Sequence, residues 1–284
     1  MKKILSLLLA AMMLVGSVFA LGSCGDKYEL NFGEEFTPLE SQMDVLLKLN
    51  AKSIDVGVMD SVMAGYYMSK DTTYANSLMI VEDLILATEQ YGIAARKGSG
   101  LTKKINAALI ELAKDGTVDT IAAKYGLTSE ICIDKNAEIA ELTDSEKVDW
   151  EYIQSQGKFI VGYTLFAPIA YKQGEELVGF DIELAKAVAL YLDIDVEFQL
   201  IEWSTKEAKL EAKTIDCIWN GMTITPEREA EMEVSIPYMN NKQVAIIRKA
   251  DKEVYKTTAD MADAIIGAED GSAGMSCVVK EDEE

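Results

Sequence analysis

The chain reads as an α/β protein, and three observations carry that reading. Short apolar runs bounded by polar turns alternate with stretches of helical periodicity, the pattern of helices layered on largely parallel sheets. Hydrophobic residues make up 49% of the 284, enough for one large core or two modest ones. No heptad, internal repeat or low-complexity tract interrupts the alternation, so coiled-coil and solenoid architectures drop out.

The strand candidates in order are SIDVGVMD (53–60), LMIV (78–81), YGIAAR (91–96), KFIVGY (158–163), VEFQLI (196–201), TIDCIWN (214–220), KQVAIIRK (242–249) and AIIGAED (264–270). Each is a short apolar run between turn formers. Between them, residues 101–113 place Ile105, Ala108, Leu109 and Leu112 at helical spacing, and residues 182–192 do so with Ile182, Ala185, Val188, Ala189 and Leu192. Gly116 and Gly126 are placed to end successive helices. The stretch from about 127 to 149 is polar, acidic and without clear periodicity, and reads as a surface linker.

The N-terminus, MKKILSLLLAAMMLVGSVFALGSCGDK, has a basic start, an apolar core and small residues before a cysteine. That is the layout of a secretory signal, expected over 1–23 and excluded from the fold. Leu21-Gly22-Ser23-Cys24 resembles the lipobox of bacterial lipoproteins, in which cleavage leaves the cysteine thiol to carry a lipid anchor. An ordinary cleaved signal with a stray thiol is the plainer alternative.

A formal charge of −21 and an acidic isoelectric point would repel nucleic acid and anionic membrane surfaces, which are bound through Lys and Arg. Histidine is absent, which removes the commonest general base and metal ligand. Cys132, Cys217 and Cys277 lack CxxC spacing, so neither zinc nor a disulfide framework is indicated. Buried thiols fit best, and a Cys132–Cys217 pair fits an oxidising compartment. No catalytic residue, metal or cofactor is expected.

Three short stretches hold candidate binding residues. In GMTITPERE (221–229) a strand runs into Gly221, Thr225 is a candidate N-cap and Pro226 suits a first helical turn. Arg228 then projects from that turn, where a cation opposes the helix dipole and is better explained by an anion to be bound. An exposed arginine, or one paired with Glu231, fits the same spacing. Thr223 and the Gly221 backbone lie at the strand's C-terminal end, where ligands of α/β sheets collect.

In AIIGAEDGSAGMSC (264–277) a strand meets a Gly-Ser-Ala-Gly turn that opens a helix, whose free N–H groups can hold an anion; a plain strand-to-helix turn reads the same way. In SIDVGVMDSVMAGYY (53–67) the strand ends at Asp60, placed either to cap the next helix or to face an ammonium group. Together these elements suit a zwitterion, with its α-carboxylate against Arg228, Ser272 and Ala273 and its α-ammonium against Asp60. Phe166 and Trp203 would supply apolar walls and cation–π faces, although either aromatic suits a core equally well.

The segments GKFIVGYTLFAPIAY, ELVGFDIELAKAVALYL, VEFQLIEWSTK, IDCIWNGMTITPERE and SIPYMNNKQVAIIRK resemble the first half of type 2 periplasmic solute-binding proteins for amino acids. The earlier stretches ESQMDVLLKLNAKSIDVGVMDSVMAGYY and EQYGIAARKGSGLTKKINAALIELAKDGTVDTIAAKYG resemble their second half. The resemblance implies two α/β lobes joined by a hinge around a cleft, in circularly permuted order. One lobe would be residues 90–240. The other would combine 24–89 with 241–284, the crossings falling near 91 and 241.

It further implies an extracytoplasmic, lipid-anchored receptor that captures a free amino acid and delivers it, as a monomer, to an ABC permease and its ATPase subunits. The family's carboxylate-binding arginine falls on Arg228, its backbone and hydroxyl partners on Gly221 and Thr223, its second-lobe contacts on Ser272 and Ala273, its ammonium-binding acid on Asp60 and its pocket aromatics on Phe166 and Trp203. Where many members carry an acidic residue after the first strand this chain has Tyr163, and the usual FxPF aromatic is Ile169; both positions shape side-chain specificity. Alternative expectations are a sensing module for a signalling partner, a cleft enzyme of dehydratase type, and a dimer formed by swapped ends.

Overall fold

In the computed structural model, which describes residues 30–33, 35–69 and 73–279, two groups of parallel strands are joined through a long antiparallel pair. The expected signal segment and Cys24 lie outside the described residues. The first group is β1 (Phe36–Leu39), β2 (Val56–Asp60) and, from the far end of the chain, β11 (Ile266–Glu269), in the order β1-β11-β2. Phe36 pairs with Ile266, and Ile266 with Val56. Helices α1 (Gln42–Asn50), α2 (Ser61–Ser69), α3 (Thr73–Ser77) and α10 (Ala273–Val278) belong with this end of the sheet.

The second group is β4 (Lys158–Tyr163), β7 (Asp195–Leu200) and β8 (Cys217–Thr223), in the order β8-β4-β7. Its helices are α4 (Leu101–Lys114), α5 (Thr117–Tyr125), α6 (Asp144–Gln156), α7 (Phe180–Leu192), α8 (Lys206–Glu211) and α9 (Pro226–Glu231). A small hairpin, β5 (Tyr171–Gln173) with β6 (Glu176–Val178), stands apart, and β9 (Met232–Val234) adds to the joining pair. β2 and β8 are buried along their whole length, as strands covered on both faces should be.

The joining pair is β3 (Leu78–Arg96) and β10 (Met239–Arg248). The sequence suggested two separate strands at LMIV and YGIAAR, but they are the ends of one 19-residue strand. β3 pairs with β10 over its first part and with β8 and β9 over its last. Register shifts interrupt the β3–β10 ladder, and Asp83 sits at φ 60° nearby, as expected where a bulge bends a strand. This pair also corrects the expectation of a largely parallel sheet: β10 is antiparallel to β2 and to β3, and β3 is antiparallel to β8. β10 runs against the first group and β3 against the second, so the joining pair reverses the strand direction between the two.

Helix ends follow local chemistry. Gly126 closes α5 and Gly116 precedes it, both left-handed. The stretch expected to be a linker carries α6 from Asp144 onward, started by a capping box between Thr143 and Glu146. Glu146 also pairs with Lys103 of α4 at 2.7 Å, and the Trp150 side chain is buried. The TDSE signature of that cap was present in the sequence, but its polar surroundings masked it. Cys132, Cys217 and Cys277 are all free thiols, so the Cys132–Cys217 pair is not formed. Among the described residues no helix is long and apolar enough to cross a membrane, and no cluster suits a metal.

Candidate functional site

The strand directions determine where the site forms. β2 ends at Asp60, level with Gln243 of β10 and through it with Ala87 of β3. β8 ends at Thr223, paired with Tyr91 of β3. Because β2 and β8 run in opposite directions along β3, their C-terminal ends point at each other across four residues, about 13 Å. The ends of β11, β4 and β7 lie beside them in the same two groups. Two sets of strand C-termini, the usual ligand face of α/β sheets, therefore converge on one narrow cleft of about 360 Å³ including space open to solvent.

Arg228, Thr223, Gly221, Asp60, Ser272, Ala273, Phe166 and Trp203 all line that cleft. Tyr163 does not. Its ring is buried with Ala170 and Ile182 and meets Phe198 edge-on at 6.3 Å; β4 turns its last side chain into the core. Ile169 is likewise fully buried.

Arg228 sits in the first turn of α9, capped by the Thr225 hydroxyl and started by Pro226. Its Nη1 donates to the Thr223 carbonyl at 2.7 Å and its Nη2 to the Gly271 carbonyl at 3.4 Å. Among the described residues no carboxylate, Glu231 included, lies in ion-pair contact with it. Burial lowers its pKa, against the pull of Glu207, Glu89 and Asp60. A guanidinium that is partly desolvated and bonded only to carbonyls retains donors for an anion. Lys206, also buried, donates to the same Gly271 carbonyl, pairs with Glu207 and lies 4.7 Å over the Trp203 ring.

Opposite, Asp60 is buried and held by neutral donors: Tyr91 Oη at 2.7 Å, Asn241 Nδ2 at 2.5 Å, Gln243 Nε2 at 3.2 Å, and Gln42. Burial raises its pKa, and those hydrogen bonds hold it back. Asn241 and Gln243 also donate to Glu89, whose carboxyl is pushed up to about 8 by burial and then by the Asp60 charge. Glu269, the last residue of β11, is also pushed up to about 8 by burial and by Asp60. Buried carboxylates without a cation are costly, so this wall is primed for a positive group.

Two details correct the expected roles. The Gly221 N–H is already taken by the buried Asp181 at 2.9 Å, so it is not a donor for a carboxylate. Gly221 is required there for shape: its φ is 61°, and a Cβ would fall 2.7 Å from the Phe166 ring. Ser272 caps α10, its hydroxyl accepting from the Met275 N–H at 3.1 Å.

Gln42, Thr164, Leu165, Asn220 and Glu269 also line the cleft and were not foreseen. Glu269 carried the signal that marked Asp60, an acid at a strand end, but the GSAG turn beside it drew the attention. Gln42 opens α1 with no sequence mark at all.

Residues 159–283 match the profile of the bacterial extracellular solute-binding proteins, family 3. The chain is 33% identical over 40% of its length to the arginine-binding extracellular protein ArtP of Bacillus subtilis, covering 45% of that protein. It is 37% identical over 34% of its length to the ABC transporter arginine-binding protein 1 of Escherichia coli, covering 39% of it. The chain thus spans less than half the length of these curated relatives. A substrate-binding protein of an ABC uptake transporter from Streptococcus pneumoniae, solved with bound histidine, is 40% identical over 29% of this chain and 35% of that one, with a TM-score of 0.28. The matched residues include Arg228, Phe166, Trp203, Ser272 and Glu269, whereas Asp60 lies outside them.

Proposed function

We propose that this protein is an extracytoplasmic receptor that captures one free amino acid in the cleft and delivers it to an ABC permease and its ATPase subunits, anchored to the membrane through a lipid on Cys24. One observation carries the reading: Arg228 and the buried Asp60, neither with an ionic partner among the described residues, face one cleft from opposed strand ends. A free amino acid supplies both missing charges, its carboxylate toward Arg228 and the α10 N-terminus and its ammonium toward Asp60. The match to family 3 and the amino-acid-binding names of the relatives support the same reading.

In this reading residues 90–240 form one lobe, and the segments on either side of them form the other, with hinge crossings where β3 and β10 pass between the strand groups. Arg228 and Lys206 of the first lobe already reach the Gly271 carbonyl of the second. A ligand touching both lobes stabilises the closed state by differential affinity. The permuted order of the halves belongs to this proposal; it leaves the two strand groups intact, since chain ends at a surface can be relocated without loss of the fold.

The direct test is a thermal-shift screen against the twenty amino acids. A ligand bound only by the folded state raises the melting temperature by mass action, by about 2.7 kcal/mol of stabilisation at a hundred times Kd. A flat response to all twenty would end the proposal.

A further inference from the structure

The charges in the cleft do not balance for a simple zwitterion. A zwitterion would satisfy Arg228 through its carboxylate and Asp60 through its ammonium, yet Glu269 also lines the cleft, is only 5% exposed, and has no cation in ion-pair contact among the described residues. Lys206 pulls on its carboxyl electrostatically, but the Lys206 Nζ is bound to Glu207 and Gly271. A second observation is independent of the acids. Asn220, 4% exposed and lining the same cleft, donates its Nδ2 to the Thr164 hydroxyl at 2.7 Å, while its Oδ1 is buried without any partner among the described residues. An orphaned buried acceptor calls for a donor from outside the chain.

We propose that the cleft selects an amino acid with a cationic side chain, Glu269 and the Asn220 carbonyl accepting its distal N–H groups while Arg228 and Asp60 hold the α-groups. This deepens the proposed function and rests on it. Phe166 and Trp203 also line the cleft, and cations favour aromatic faces. The ionisable groups facing Glu269 are Asp44 of α1, Asp60 of β2, Lys206 of α8 and Arg228 of α9. With its carboxyl pushed up to about 8, Glu269 is protonated at neutral pH without ligand; a cation beside it draws the carboxyl down and releases the proton to solvent, whereas a neutral side chain leaves the proton in place.

The test is calorimetry of the full chain with L-arginine and L-lysine against the neutral isostere L-citrulline, in two buffers of different ionisation enthalpy. Expected are at least tenfold tighter binding of one cationic ligand than of citrulline at pH 7, and release of up to one proton with that ligand. Glu269→Gln should shrink that affinity ratio by tenfold or more and abolish the proton release. Citrulline binding as tightly as both cations overturns the proposal, as does a ratio unchanged in Glu269→Gln; the wild-type comparison decides even if the variant does not fold. Binding of only neutral or acidic amino acids in the thermal screen removes the cationic selection and leaves the receptor reading standing. No binding of any amino acid removes both.

Discussion

Arg228→Ala tests the carboxylate end of the site in isolation. Among the described residues the guanidinium makes hydrogen bonds only to the carbonyls of Thr223 and Gly271, and a cation in the first turn of α9 opposes the helix dipole. Its loss should therefore cost the fold little. For a bound carboxylate the loss is large. Charge-assisted hydrogen bonds contribute about 1.5–3 kcal/mol, and removing one partner of a buried ion pair costs about 3–5 kcal/mol. An overall loss of about 2–5 kcal/mol weakens binding roughly 30- to 5,000-fold. Calorimetry on the best ligand from the thermal screen reads this directly, with far-ultraviolet circular dichroism as the control. Unchanged affinity in a variant with an unchanged spectrum would refute the assignment of Arg228, and with it the zwitterion argument.

Three further outcomes follow from the same geometry. Without ligand, Glu269 keeps its proton in the folded state up to about pH 8, while the unfolded chain releases it near the ordinary glutamate value of 4.5; its contribution to stability is full below that value and is lost as pH rises towards 8, by up to a few kcal/mol at about 1.4 per unit. Chemical denaturation between pH 5 and 8 should thus show a smaller decline in Glu269→Gln than in wild type, and parallel curves would count against the burial argument. Gly221→Ala places a Cβ against Phe166 at a positive φ and should destabilise by about 1–3 kcal/mol in urea melts; a neutral effect would mean the strand end is not built as described. Thr143→Ala removes the α6 capping box and should cost about 1 kcal/mol, a loss that an irregular linker over 127–149 would not show.

Much of this was legible without coordinates because it is local. The apolar runs placed β2, β4, β7, β8 and β11, and Thr225-Pro226 started α9 as its residues require. Gly-Ser-Ala-Gly opened α10 at Ser272. Where the sequence misled, the deciding force was long-range. β3 is one strand because β10, more than a hundred residues away in the chain, pairs with it from Leu78 to Tyr91, and β8 and β9 take over beyond; the polar residues between its two apolar runs conceal that. Tyr163 was placed at the site by resemblance, and the pleat of β4 sends it to the core.

The sequence by itself determined many of the parts: most of the parallel strands, several helices, that Arg228 would stand at a helix start, and that Asp60 would close a strand. Those outcomes depend on dihedral preferences and on periodicity within a dozen residues. Tertiary structure decided that the parts meet. Only the register of β2, β10, β3 and β8 turns two sets of strand ends towards each other, and only that convergence brings Glu269 and Asn220 to the cleft that Asp60 lines. The charge left unbalanced in the cleft is a property of burial, which no short window of sequence contains.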